Sequence, residues 1–314
     1  MPAMPDGVVS VDHLSKSFGA VQAVDDLTFD VLPGRVTGFL GPNGAGKTTT
    51  LRMLLGLVEP SSGTATIGGR RYRDLARPLR TVGAALEAAS FHPGRTAHDH
   101  LRVYAPQAGV PDARAVEVLE LVGLGAARDR RVGEFSLGMR QRLALATTLL
   151  ADPAVLLLDE PANGLDPEGI RWLRVFLRAL AAEGRTVLIS SHVLSEVEQT
   201  VDDVIIIANG RLVHASTLED LAQLAQARVR VASPDATALA ALVAHGGWSV
   251  ADGGAPSPHS VELVDVDAAT VGAAAFAAGL ELHQLTSLDV GLEQIFLELT
   301  NPHTAHDVLA GGVR

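Results

Sequence analysis

The chain has 314 residues, 47% of them apolar, and a formal net charge of −11 from 36 acidic and 25 basic side chains. That length suits one large domain or two, the apolar content excludes a disordered chain, and the charge excludes general attraction to nucleic acid or an anionic membrane surface. With no cysteine there is no disulfide framework or thiolate chemistry.

No apolar run approaches the roughly 18 residues of a membrane span. Residues 1–7 lack the basic and apolar regions of a secretion signal, so a cytosolic chain is expected. The acidity is uneven: from residue 225 onward there are ten Asp and Glu against three Arg, which makes nucleic acid an unsuitable partner for that end.

Residues 8–12 and 21–31 are predicted as strands, the second alternating around Val24, Leu27, Phe29 and Val31, with Lys16, Ser17, Phe18 and Gly19 between them. Residues 35–40 form a short buried strand and 47–57 a helix. Joining them is Gly41-Pro42-Asn43-Gly44-Ala45-Gly46-Lys47-Thr48, followed by Thr49. Glycines at 41 and 46 let the backbone wrap closely around a phosphate with its N–H groups inward. Lys47 adds a mobile positive charge, and the Thr48 hydroxyl can bind Mg²⁺. The helix N-terminus then points at the bound anion. Only Lys16 and Lys47 are lysines in this arginine-rich chain, and a planar guanidinium fits such a cradle poorly.

A turn at 60–63 precedes strands at 64–67 and 81–86. From about 88 to 150 the pattern is helical. Thr96 with Asp99 signals a helix start, Asp112 opens a second helix, and Ser136 caps a third carrying Leu137, Leu143, Ala144 and Ala146. His92, His98 and His100 cluster around Asp99, and a solvated helix start explains them better than a metal site. Strand 154–158 then ends in Asp159 and Glu160. A buried parallel strand delivers such residues to a ligand crevice, where Asp159 can hold Mg²⁺ and Glu160 can activate water. Helix 167–182, strand 186–190, helix 193–200, strand 203–208 and a hairpin arm at 211–214 follow.

The fold class is therefore α/β, a nucleotide-binding core over residues 1–220 with a helical subdomain at about 88–150. A connecting helix at 218–227 leads to a C-terminal α+β accessory domain over 228–299. Its predicted order is strand 228–232, helix 235–245, strands 247–251 and 260–264, helix 267–278, strand 281–286 and helix 291–299, which fits a ferredoxin-like unit. Residues 300–314 read as a loose tail.

The order of Gly41–Thr48, Phe135-Ser-Leu-Gly-Met-Arg-Gln-Arg142, Asp159-Glu-Pro161, Asn163-Gly-Leu-Asp166 and Ser190-Ser-His192 resembles an ATP-binding-cassette (ABC) ATPase. It is most similar to the cassette subunits of exporters with a separate membrane subunit, such as the bacitracin and daunorubicin resistance type. The resemblance implies ATP with Mg²⁺ as ligands, hydrolysis by Glu160 with His192 at the γ-phosphate, and Phe18 stacked on adenine. It also implies a homodimer in which Ser136 and Gly138 touch ATP held by the other copy and Asp166 links the two. The partner is a transmembrane permease contacted near Glu87 to His100, and the location is the inner face of the cell membrane. An import ATPase or a soluble non-transport cassette protein would share the ATP chemistry.

Three features depart from the family pattern, one of them Phe18 in place of the commoner tyrosine, which keeps the stacking face and loses only a hydroxyl. The signature reads Phe-Ser-Leu-Gly-Met instead of Leu-Ser-Gly-Gly-Gln, and Glu87 stands where a metal-reaching glutamine is usual. A carboxylate still suits Mg²⁺.

Overall fold

The computed structural model describes residues 7–86, 91–224, 228–251, 257, 259–288 and 291–300. They fall into two compact units, a smaller one of Glu219–Glu298 and a larger one that ends at Leu218 and resumes at Leu299.

In the larger unit, β1 (Val9–Phe18), β2 (Val21–Val31) and β4 (Ser62–Ile67) form an antiparallel sheet in the order β2-β1-β4. The second sheet runs β5 (Val82–Ala85), β6 (Val155–Leu158), β7 (Thr186–Ser191), β3 (Val36–Leu40), β8 (Asp203–Ala208) and β9 (Arg211–Thr217). Its first five strands are parallel and β9 is antiparallel to β8. β3, β6 and β7 are buried along their whole length, which is why they read as continuous apolar runs without alternation. Leu27, Phe29, Phe39, Leu51, Leu54, Val155 and Leu188 belong to one core that joins the two sheets through α1 (Lys47–Leu54).

The first strand runs to Phe18, well beyond the predicted end at residue 12. Three register shifts, between Val11/Leu14, Leu14/Lys16 and Lys16/Ser17, break its ladder with β2, and His13 takes φ 47°. Bulges of this kind interrupt the two-residue period on which strand prediction depends. A single helical turn, α2 (Pro78–Thr81), precedes β5.

The helical insertion contains α3 (Ala97–Ala108), α4 (Ala113–Leu121) and α5 (Leu137–Leu149). Thr96 accepts a hydrogen bond from the Asp99 backbone N–H at 3.0 Å, and Ser136 accepts one from Met139 N–H at 3.3 Å. Asp112 makes no such cap, because its own backbone is already helical (φ −55°, ψ −30°), and its carboxylate accepts from Arg102 Nε at 2.8 Å. α6 (Pro167–Ala182) is capped by Asp166, which accepts from Gly169 N–H at 2.7 Å. α7 (Leu194–Val197) is one turn, shorter than the predicted 193–200.

The smaller unit begins within α8 (Leu218–Gln223). It contains β10 (Arg228–Ala232), α9 (Ala236–Gly246), β11 (Ser249–Val250), β12 (Ser260–Val264), α10 (Ala268–Ala277), β13 (Gln284–Leu288) and α11 (Leu292–Thr300). The antiparallel sheet order β11-β12-β10-β13 places the first strand between the third and fourth, the strand–helix–strand–strand–helix–strand order of ferredoxin-like units. Val229, Val231, Leu239, Leu263 and Val271 form its separate core. The last strand lies three residues later than predicted, because residues 284–287 are exposed and present no apolar alternation. The tail at 301–314 lies outside the described residues.

Candidate functional site

The C-terminal ends of β3, β6 and β7 meet at the loop Gly41–Gly46. Gly41 N–H donates to Ser191 O at 3.3 Å, and Asp159 N–H donates to Ala85 O at 2.8 Å, so loop and strands are tied edge to edge. Two glycines are required by space. A Cβ on Gly41 would lie 2.4 Å from Ile207 O, and one on Gly46 2.6 Å from Ala23 O, where φ is also +104°. No L side chain fits either place. Pro42, Asn43 and Gly44 are exposed along the outer edge, while Ala45 is buried beneath it.

Lys47 is only 6% exposed. Its ammonium donates to Gly41 O at 2.7 Å and Pro42 O at 3.2 Å. Burial pushes its pKa down, and the nearby Glu160 and Asp159 charges pull it back up. The cation is thus already stripped of most water and flanked by carboxylates, ready to exchange carbonyl partners for anionic oxygens. Thr48 and Thr49 sit half-buried in the first turn of α1.

Thr48 Oγ1 donates to Asp159 Oδ2 at 2.7 Å. The other oxygen of Asp159 accepts from Ser190 Oγ in a short hydrogen bond. Ser190 Oγ in turn accepts from Glu160 N–H at 2.9 Å. Ser190 is fully buried and so fixes both acids from below. The sequence presents Ser190 only as part of Ser-Ser-His. Its signal there was a hydroxyl at the C-terminal end of a buried parallel strand adjacent to the one bearing Asp159.

Glu160 points elsewhere. Its φ of 47° is unusual for a residue with a long side chain, and it turns the carboxylate away from Asp159 toward His192 Nδ1, 3.1 Å distant. Asn163 Nδ2 donates to the other carboxylate oxygen at 3.5 Å. Gln141 Nε2 donates to Asn163 O at 3.4 Å, connecting α5 to the same loop. Neither Gln141 nor Asn163 was singled out as a site residue. Backbone strain of this type is retained where the surroundings over-determine it, and it accumulates at functional sites.

The structure therefore brings Lys47, Thr48, Asp159, Glu160 and His192 into one crevice. Among the described residues, no hydrogen bond ties Phe18, Ser136, Gly138 or Asp166 to them. Phe18 is 49% exposed, with Lys16 Nζ 5.1 Å from its ring centroid. Ser136 and Asp166 cap α5 and α6, and Gly138 lies against Leu165. Glu87 lies outside the described residues. The oxygen donors of Thr48 and Asp159, already within hydrogen-bonding distance of each other, fit a hard divalent cation. His100 is buried at 4% exposure, its ring edge-on to Phe91 and tilted against Tyr104, so it does not belong to a solvated helix start as the sequence suggests. The exposed face of that helix is carried by Val103 and Tyr104.

A family model described as "ABC transporter" matches residues 24–163, and one described as a domain of unknown function matches 227–293. The bacitracin transport ATP-binding protein BcrA of Bacillus licheniformis is 45% identical over 217 residues, covering 68% of this chain and 71% of the relative. The uncharacterized ABC transporter ATP-binding protein YdbJ of Bacillus subtilis (strain 168) is 33% identical over 303 residues, covering 96% and 97%. A solved ATP-binding subunit of an ABC transporter superposes with a TM-score of 0.62 at 30% identity, over 69% of this chain and 92% of that one.

Proposed function

Because this chain belongs to the ABC transporter ATP-binding family, and so is an ATP-binding ATPase, we propose that it powers a bacterial exporter of the drug or antibiotic type through a separate transmembrane permease. The bacitracin transporter's similarity supports the class of cargo. The observation that carries the catalytic assignment is the linked set Lys47, Thr48, Asp159, Ser190, Glu160 and His192 at the ends of parallel strands.

In this account the backbone N–H groups of Asn43 to Thr49 cradle the phosphates, and Lys47 moves from Gly41 and Pro42 carbonyls to phosphate oxygens. Thr48 and Asp159 hold Mg²⁺, with Glu87 as a further oxygen donor. When bound, the ion neutralises charge on the phosphate chain. Glu160 accepts the proton of the attacking water, and His192, already hydrogen-bonded to Glu160, orients that water against the γ-phosphate. Ser136 and Gly138, at the exposed start of α5, complete the site of a second copy. Asp166 stands beside that junction, and Phe18 supplies a face for adenine.

The functional division follows the chain: 1–220 for nucleotide and 228–299 for an accessory role. The permease docks in a groove of about 260 Å³ lined by Leu57, Tyr72, Leu79, Tyr104 and Leu150. Leu57, Leu79 and Tyr104 expose large apolar surfaces there, as expected of a contact site. In this reading the protein works at the cytoplasmic face of the membrane. No described helix is long and apolar enough to cross it. A direct test is Lys47→Ala, which is expected to abolish Mg·ATP binding in titration while leaving the circular dichroism spectrum intact. Unchanged nucleotide affinity would remove Lys47 from the site.

A further inference from the structure

The smaller unit carries a cleft that its core does not fill. Leu239 and Val243 of α9 and Val271 of α10 pack into the core beside the sheet. Next to that core the helices present small side chains, Ala238 and Ala241 from α9 and Ala274, Ala277 and Ala278 from the end of α10. Spacings of three and four residues set each group on one side of its helix. Facing helices ordinarily close such a gap by interdigitation. Alanines cannot, and a cleft of about 760 Å³ remains, lined also by Leu242 and Leu280. That size falls in the range of roughly 300–1,000 Å³ typical of sites for small organic molecules.

The polar groups on this lining are not all satisfied. Ser233 is only 1% exposed. Its Oγ accepts from Asp235 N–H at 3.2 Å, but among the described residues its hydroxyl hydrogen has no acceptor. Asp235 caps α9 with one carboxylate oxygen, 2.9 Å from Ala238 N–H, and its other oxygen has no partner among those described. β10 ends and β13 begins at the same end of the sheet, Ala232 opposite Gln284. The start of α9 with Asp235 and the segment after α10 with Glu281 therefore lie at that end together. α10 has no basic side chain in its last turn, so its carbonyl end also lacks a counter-charge. The whole unit, Glu219–Glu298, holds eleven Asp and Glu against two Arg, a net of −9. Both arginines are already paired, with Glu298 and Glu262.

We propose that this cleft is a binding site for a compact organic cation. Such a ligand has an apolar body against the alanine walls, N–H donors toward Asp235 and Glu281, and an acceptor for the Ser233 hydroxyl. The site lies within the smaller unit and depends on neither the ATPase nor the exporter reading. Charge complementarity selects the occupant. An anionic ligand would meet two carboxylates and a helix C-terminus, and a second copy of this acidic unit would be repelled. A bare metal ion would leave the alanine walls uncovered.

The test is fluorescence anisotropy of a rhodamine ethyl ester, a xanthene cation with N–H donors and an ester carbonyl, titrated with the full chain without nucleotide. Fluorescein, an anion of the same ring system, is the charge control. The rhodamine should bind saturably and fluorescein should not. Ala241→Phe/Ala277→Phe fills the cleft and should weaken rhodamine binding by about tenfold or more. Ala240→Phe/Ala273→Phe, exposed alanines of the same helices outside the lining, should leave affinity unchanged within about twofold. Asp235→Asn/Glu281→Gln keeps a cap acceptor on α9 and removes both charges. An exposed ion pair contributes up to about fivefold, so this pair of changes should weaken binding by roughly tenfold.

Circular dichroism reports folding, and Asp235→Asn/Glu281→Gln, which alters little volume, decides the matter should the filled chain misfold. The proposal is overturned by absent rhodamine binding, by equal binding of fluorescein, or by equal loss in the Ala240→Phe/Ala273→Phe chain. It is also overturned if the filled chain binds rhodamine normally but no longer pairs in light scattering, which would assign the cleft to a second copy.

Discussion

In the larger unit three neighbouring parallel strands, β3, β6 and β7, deliver their C-terminal residues to one crevice, whereas in the smaller unit antiparallel strands end alternately at both ends of a four-stranded sheet. The polar chemistry is distributed accordingly. Lys47, Thr50, Ser190 and Ser191 are buried in the larger unit near the loop, while Ser233 is the one buried polar residue of the smaller unit among those described. The arginines of the smaller unit pair within its own fold, Arg228 with Glu298 at 2.6 Å and Arg230 with Glu262. Converging strand ends create a place where several polar groups can be buried and still satisfied. An alternating sheet covered by apolar helices builds a core and no such convergence.

The strongest way to sharpen this contrast is at Glu160. If it takes the proton of the attacking water, Glu160→Gln should bind ATP and slow hydrolysis by roughly 10²–10⁴-fold, the range for a lost general base. Trapped ATP should then favour the paired state in light scattering. Wild-type turnover in this variant would break the assignment of chemistry to the strand ends.

The helical insertion supplies a second probe. His100 is buried without a hydrogen-bond partner for Nδ1, and burial, then the Arg95 charge, lower its pKa to about 4 from 6.5. A lowered histidine pKa means that the unfolded chain takes up a proton below pH 6.5 while the folded chain does not. Stability should therefore fall between pH 6.5 and about 4, by about 3 kcal/mol. Denaturant titrations across that range should show this slope, and His100→Phe should flatten it. An unchanged slope in His100→Phe would locate acid sensitivity elsewhere.

Ser190→Ala is expected to have a smaller effect. It removes a hydrogen bond to the Asp159 carboxylate and the acceptor for Glu160 N–H, a loss of roughly 1.5–3 kcal/mol if borne by the transition state, or tenfold and upward in kcat. KM for ATP should change little, because neither bond is made to the nucleotide. A rise in KM with unchanged kcat would make Ser190 part of binding instead of a support for the acids.

Much of this contrast was legible in the sequence because its signals are local. Gly41 to Thr48 follow a buried strand, Asp159 and Glu160 end another, and the caps Thr96 and Ser136 stand one residue before their helices. Other features depend on residues far apart in the chain. The role of Ser190 requires knowing that β7 lies beside β6. Asp112 reads as a cap, but its backbone is already helical and its carboxylate pairs with Arg102, and the bulges of β1 erase the alternation that would mark its full length. The folding of His100 into an aromatic cluster is likewise tertiary, since its helix position alone matched a solvated start.

The central claim is that the nucleotide site belongs wholly to the larger unit. It is tested most directly by titrating Mg·ATP into the full chain and into a chain ending at Leu224, after α8. The account predicts nearly equal affinities, because every residue assigned to nucleotide precedes the unit boundary at Leu218. A folded truncated chain that no longer binds Mg·ATP would contradict it and assign part of the site to the smaller unit.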